Sequence, residues 1–81
     1  MSDIKAKFTN KYGESRKYTI WDEGRDPSSP PVVFEGYLDA GNATDWLTLQ
    51  GNGSYGRVKY QRSDGSATTT DVTDGNNYDM N

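Results

Sequence analysis

Apolar and polar residues alternate along much of this chain, and a period of two is typical of half-buried β-strands. The segment from Ile4 to Thr9 is the first example, with Ile4, Ala6 and Phe8 on the inward face. Alternation, or runs of β-branched and aromatic residues, predicts further strands at residues 17–21, 32–38, 45–49, 55–62 and 67–73, and a short last strand at 78–80. Segments rich in Gly, Asp, Asn and Pro separate these strands and are typical of turns.

The spacing of the strands predicts the fold class. Short strands that recur at regular intervals between turns are typical of antiparallel sandwiches and barrels. Few stretches without Gly or Pro are long enough for a helix. We therefore predict a single all-β domain over residues 1–81, a small antiparallel β-sandwich or partly open barrel of about six strands. Gly36, inside the third strand, is a candidate for a β-bulge.

Glycines at positions 51, 53 and 56 match the pattern G-x-G-x-x-G-x-V, which in protein kinases covers the ATP phosphates. A kinase also needs a His-Arg-Asp loop, but this chain contains no histidine. The dinucleotide fingerprint needs a helix after its last glycine, whereas residues 57–62 alternate like a strand. The motif therefore predicts a structural hairpin between the fourth and fifth strands, with Asn52, Ser54 and Tyr55 at its tip.

Composition limits both the core and the partners. Only 31% of the residues are hydrophobic and the mean hydropathy is −1.02, although aromatic residues reach 12%. The net charge is −3 and no Lys or Arg follows Arg62. Nucleic acid is therefore not expected as a partner, because phosphate binding needs clustered positive charge. A thin core also makes a homodimer through an exposed strand edge an alternative.

The chain contains neither cysteine nor histidine. Disulfides, the usual zinc and copper sites and histidine-dependent catalysis are therefore excluded, and we expect no metal site and no cofactor. No apolar run approaches the length of a membrane span. No signal peptide is visible, so the location stays open between the cytoplasm and a processed secreted fragment.

The order of several aromatic elements resembles the N-terminal strands of thaumatin-like proteins. From Lys7 to Asp64 these elements are Phe8-x-Asn10, Tyr18-Thr19-Ile20-Trp21, Leu38-Asp39-Ala40-Gly41, Trp46-x-x-Leu49 and Val58-x-Tyr60-x-Arg62-Ser63-Asp64. The resemblance implies a β-sandwich that binds β-glucan or other cell-wall sugars, with Arg62 at the position of a cleft arginine. The family is held together by disulfides, which this chain lacks.

Together these features predict a non-enzymatic binding module, lectin-like or glucan-binding, whose partner is carbohydrate or a protein surface. Aromatic rings pack on the apolar faces of sugars, while charged and amide groups bind hydroxyls. The candidate contact residues are Trp21, Tyr37, Trp46, Tyr55 and Arg62. An alternative is that the tryptophans are core anchors, and the pattern favours the core for both, whereas it favours exposure for Tyr37 and Tyr55.

Three further patterns have simpler interpretations. Arg57, Lys59 and Gln61 share one strand face, which we expect to be solvated. The segment 64–69 is similar to a βγ-crystallin calcium pattern, so a calcium-binding domain is an alternative, but turn chemistry explains its residues. Asp22 and Glu23 could in principle serve a glycosidase, but so small a domain has little room for a deep cleft, and we expect no enzyme activity.

Overall fold

A computed structural model of the chain describes residues 2–80, which form seven β-strands and no helix. The strands are β1 (Ser2–Asn10), β2 (Arg16–Asp22), β3 (Val32–Leu38), β4 (Leu47–Gly51), β5 (Tyr55–Arg62), β6 (Ala67–Thr73) and β7 (Asn76–Met80). The predicted domain range 1–81 includes residues 1 and 81, which lie outside the described residues. Over residues 2–80 no helix exists that could cross a membrane.

The strands form two sheets. One has three strands in the order β4-β1-β7, and the other has four strands in the order β3-β2-β5-β6. Every named pair is antiparallel except β1–β7, which is parallel. The predicted all-β sandwich is therefore confirmed, with seven strands instead of about six. The parallel pair was not predicted, because it joins the two strands that are farthest apart in the chain.

The core lies between the sheets and is formed by alternate residues of the strands. Ile4, Ala6 and Phe8 are buried, as the alternation in β1 predicts. The other buried apolar residues are Tyr18, Ile20, Leu38, Leu49, Val58, Val72 and Met80. Neither tryptophan belongs to this set, so the expectation that both are core anchors is wrong. Smaller residues fill the centre of the sandwich, and the indole rings lie on its outer faces.

The β-bulge lies elsewhere than predicted. The register between β2 and β3 shifts between Ile20 and Trp21, which makes Val33 the additional residue of β3. Gly36 instead pairs regularly with Tyr18. The prediction of a bulge at Gly36 is therefore wrong.

The link between β4 and β5 is not a hairpin, because these two strands belong to different sheets. They meet in one tight turn, in which the Asn52 N–H donates to the Tyr55 carbonyl at 2.7 Å and Gly53 has a φ of 68°. Pairing stops after this single bridge. At Gly56 a Cβ would lie 2.6 Å from Ile4 Cδ1, so the glycine allows the sheets to approach closely. We call residues 52–55 the sheet-crossing turn.

A buried amide connects three parts of the fold at the opposite end of the sandwich. The Asn10 Nδ2 donates to the carbonyls of Glu14 and Leu38 at 2.8 and 2.9 Å. Its Oδ1 accepts hydrogen bonds from the Tyr12 N–H and the Tyr18 hydroxyl, each at 2.8 Å. Because Asn10 is fully buried, these four bonds satisfy an amide that would otherwise destabilise the core.

Candidate functional site

A surface pocket of about 500 Å³ lies beside the sheet-crossing turn. Gly24, Gly51 and Gly56 form part of its lining. The remaining lining residues are polar or aromatic, namely Gln50, Asn52, Tyr55, Arg57 and Asp71. Concave sites of this size that combine a ring with a few polar groups are typical of small-ligand binding.

The fully buried carboxylate of Asp22 fixes one wall of the pocket. Its Oδ2 accepts the backbone N–H of Gln50 at 2.8 Å, and its Oδ1 accepts the backbone N–H of Arg25 at 3.2 Å. The Arg25 Nε lies 3.4 Å from Oδ2. Asp22 therefore holds the start of the β2–β3 loop against β4, the strand that carries Gln50.

A second contact at the same place requires glycine. A Cβ at position 24 would lie 2.8 Å from the backbone oxygen of Gln50, a distance at which the backbone would have to move. The Gly24 N–H also donates to the Arg57 carbonyl at 3.1 Å. The loop, β4 and β5 are thus joined through backbone contacts, and the pocket lies where they meet.

Strands β5 and β6 supply three accessible side chains to the pocket. Tyr55 is 62% exposed. On the same face, Arg57 lies directly opposite Asp71, and their side chains form an ion pair at 3.5 Å. The Arg57 Nε also lies 3.8 Å from Glu23 Oε1. The guanidinium is therefore held between two carboxylates, next to a ring that is open to solvent.

Three of the five predicted contact residues share one surface. Trp21, Tyr37 and Tyr55 lie on the outer face of the four-stranded sheet. The residues next to them in each strand are buried, or pair with buried residues of the adjacent strand. Tyr37 is 75% exposed, as predicted, and Trp21 is half-buried. The Lys59 Nζ lies 5.2 Å from the centroid of the Trp21 ring. The predicted exposure of Tyr37 and Tyr55 is thus confirmed.

Trp46 lies on the other side of the molecule. It precedes β4, is 47% exposed, and its ring is 5.2 Å from Lys7 Nζ on the outer face of the three-stranded sheet. Because the two outer faces point in opposite directions, Trp46 cannot share a ligand with the other aromatic residues. Its inclusion in a single site is therefore wrong.

Arg62 lies far from the pocket, at the end of β5, in a cluster that joins two turns. Its guanidinium stacks on the Tyr12 ring at 3.7 Å and donates to Asp64, which also accepts the Arg16 Nε at 3.2 Å. The hydrogen bond from Arg62 lowers the pKa of the Asp64 carboxyl below its usual value. Hydrogen bonding to Asp64 raises the pKa of both arginines. Arg62 therefore has a structural role here and does not join the pocket.

The acidic residues considered from the sequence are already engaged. Asp22 is buried, whereas Glu23 faces Arg57, so the pair does not line a common cleft. Both oxygens of Asp64 take arginine donors. Among residues 2–80 no group of three or more His, Cys, Asp or Glu is arranged to hold a metal ion. The calcium alternative stays a prediction, tested by comparing the melting temperature in EDTA and in millimolar calcium.

Sequence reasoning assigned Arg57 to a solvated face and did not consider Asp71. The signal that could have found them is the pairing of β5 with β6, which sets these opposite charges across from each other. Asn52 and Tyr55 were recognised as turn residues, and both line the pocket.

Comparisons with protein-family models, with curated proteins and with solved structures found no match. The pocket is therefore interpreted from its own geometry and chemistry.

Proposed function

We propose that the chain is a non-enzymatic carbohydrate-binding module whose primary site is the pocket beside the sheet-crossing turn. The observation that carries the proposal is the open ring of Tyr55 next to the Arg57–Asp71 ion pair, in a pocket of about 500 Å³. A sugar ring has apolar C–H faces and a polar rim, so it needs a flat aromatic surface with hydrogen-bonding groups at its edge.

The polar groups of the pocket supply both kinds of hydrogen bond. The guanidinium of Arg57 donates, the carboxylate of Asp71 accepts, and the amide of Asn52 does both. Arg57 and Asp71 lie side by side on the surface, so a sugar that reaches them meets a donor and an acceptor together. Because the sequence resembles the N-terminal strands of thaumatin-like proteins, β-glucans are among the first sugars to test.

The test is binding of the purified protein to a glycan array that includes β-1,3- and β-1,4-glucans. The variant Tyr55→Ala removes the exposed ring without opening the core, and we expect it to weaken binding at least tenfold, equivalent to about 1.4 kcal/mol. The matched control is Trp46→Ala, which removes an exposed ring from the opposite outer face and should leave binding unchanged.

Two outcomes would contradict the proposal. A folded wild-type protein that binds no glycan at high micromolar concentration has another function. If Trp46→Ala weakens binding as much as Tyr55→Ala does, carbohydrate binds but the site is elsewhere.

The homodimer remains a second candidate, because β3 is an edge strand with exposed apolar groups. Val32 is 52% exposed and Tyr37 is 75% exposed on this strand, and an unpaired edge can add a strand from a second copy. Sedimentation equilibrium tests this candidate independently of sugar binding. A strict monomer at high micromolar concentration contradicts it, whereas a dimer that Val32→Lys dissociates supports it.

A further inference from the structure

The outer face of the four-stranded sheet extends from the pocket across three aromatic side chains on adjacent strands. Tyr55 lies on β5, Trp21 on the neighbouring β2, and Tyr37 on β3, the next strand along. The strand register fixes their relative positions. Trp21 is opposite Lys59, four residues along β5 from Tyr55, and Tyr37 is opposite Lys17, four residues along β2 from Trp21.

Because β5 and β2 are antiparallel, the step from Tyr55 to Lys59 and the step from Trp21 to Lys17 run in the same direction along the sheet. The three aromatic residues therefore follow one diagonal across the sheet. Four residues of an antiparallel strand span about 13 Å, and adjacent strands lie about 4.8 Å apart. Each aromatic residue is therefore about 14 Å from the next by Cα position, and the line from Tyr55 to Tyr37 spans about 28 Å. The longest dimension of the protein is 36 Å, so the diagonal covers most of the molecule's length.

Polar side chains fill the intervals between the rings. Thr19 and Glu35 form a cross-strand pair between Tyr37 and Trp21. Arg57 and Glu23 lie between Trp21 and Tyr55. A row of aromatic residues separated by hydrogen-bonding groups provides repeated sites of one kind, which a polymer of identical units can occupy together.

The charges on this face determine which polymer it fits. Lys17, Lys59 and Arg57 are balanced by Glu23, Glu35 and Asp71, although the whole chain has a net charge of −3. A face without net charge offers no attraction to a polyanion. The Lys59 ammonium over Trp21 has no carboxylate within ion-pair distance among residues 2–80. It is therefore able to leave the ring when a sugar stacks there.

We infer that the ligand of the proposed site is an extended, uncharged, linear glycan that runs from the pocket at Tyr55 over Trp21 to Tyr37. This inference rests on the proposed function, and it adds that ligand length determines affinity. A disaccharide occupies the pocket alone, whereas a long chain also reaches Tyr37. Because the contacts are on one molecule, each additional one increases the affinity without a new association step.

The experiment measures the dissociation constants of disaccharides and octasaccharides of β-1,3- and β-1,4-glucan by isothermal titration calorimetry. For the wild type we expect the octasaccharide to bind at least tenfold more tightly than the disaccharide. Tyr37→Ala should remove most of this difference and leave disaccharide binding unchanged. Tyr55→Ala should weaken both. Trp46→Ala is the matched control, and it should alter neither.

The possible failures are distinguishable. If neither glucan binds at any length, both the inference and the choice of ligand class fail together. If the disaccharide and the octasaccharide bind equally, or if Tyr37→Ala has no effect on the octasaccharide, the pocket binds sugar but the diagonal is not a binding track. Tighter binding of polygalacturonate than of either glucan would contradict the requirement for an uncharged chain. Circular dichroism of Tyr37→Ala excludes misfolding as the cause, and its 75% exposure predicts a native spectrum.

Discussion

Replacing the buried carboxylate of Asp22 tests how the pocket is held together. In Asp22→Asn one of the two side-chain oxygens becomes an NH₂ group. Since Oδ2 accepts the Gln50 N–H and Oδ1 accepts the Arg25 N–H, the new NH₂ group must face at least one donor. The Arg25 N–H also donates to the Asp22 backbone carbonyl at 3.3 Å, so the NH₂ group costs least at the Oδ1 position. The remaining hydrogen bond also loses its ionic component. Asp22 is fully buried, so water cannot accept a hydrogen bond from the new NH₂ group.

The magnitude follows from these contacts. A hydrogen bond to a charged acceptor contributes about 1.5–3 kcal/mol, and a buried donor without a partner costs about 1–3 kcal/mol. The exposed Arg25 side chain adds little, as a surface ion pair is worth about 0–1 kcal/mol. We therefore expect Asp22→Asn to lower the free energy of unfolding by about 2–4 kcal/mol, a large part of the stability of a small domain.

Asp26→Asn is the matched control in the same loop. The Oδ1 of this exposed carboxylate accepts both the Ser28 and the Ser29 N–H, at 3.1 and 3.2 Å. Since asparagine keeps that oxygen, the expected change is below about 0.5 kcal/mol. Urea denaturation followed by tryptophan fluorescence measures both variants. If Asp22→Asn is no less stable than Asp26→Asn, the carboxylate does not hold the pocket wall.

Five other substitutions, at four positions, test three separate parts of the structure. Asn10→Ala should destabilise the protein by about 2–4 kcal/mol and Tyr18→Phe by about 1 kcal/mol. The double variant should lose less stability than the sum, because both substitutions remove the same hydrogen bond. Strict additivity of the two effects in urea denaturation would disprove that bond. Asp64→Asn should be less stable than the wild type, and the difference should be full above about pH 5. It should decline as the pH falls through the lowered pKa of Asp64, because protonation of the wild-type carboxylate removes the same ion pairs. A difference that is constant from pH 7 to pH 2 contradicts the ion pairs. Gly53→Val should destabilise the protein by about 1–2 kcal/mol, because φ at this residue is positive and a β-branched side chain disfavours that conformation. Gly53→Asn should destabilise it much less, because asparagine tolerates a positive φ and a Cβ here meets no atom within 4 Å. ATP binding by the wild-type protein would support the nucleotide interpretation of the motif.

Much of the fold could be predicted because strand alternation is a local property of the sequence. The inward residues of β1 and the solvent exposure of Tyr37 follow directly from the period of two. The sheet to which each strand belongs is not a local property. β4 and β5 are adjacent in sequence and separated by a glycine turn, yet the contact between Gly56 and Ile4 lets the chain cross between sheets there. The parallel pairing of β1 with β7 depends on the whole chain in the same way.

The candidate site was predicted only in part for the same reason. Residue type identified Tyr55 as an exposed ring, but only the pairing of β5 with β6 brings Arg57 and Asp71 together. Arg62 was named as a contact residue from the resemblance to thaumatin-like proteins, and its partner in the structure, the Tyr12 ring, lies on a turn far away in sequence. Trp46 is a residue type common in sugar-binding sites, but it lies on the outer face of the three-stranded sheet. Its position there follows from the sheet that the adjacent strand β4 joins.

The central claim is that carbohydrate binds in the pocket beside the sheet-crossing turn. The most direct measurement is a two-dimensional ¹H–¹⁵N NMR titration of the wild-type protein with glucan octasaccharide, which observes the backbone N–H groups and the tryptophan indoles in one experiment. We predict shifts for the amides of Gly24 and of residues 52–57, extending to the indole of Trp21, with none around Trp46. Shifts confined to Trp46 or to the Tyr12 cluster, or no shifts at millimolar octasaccharide, would contradict the account.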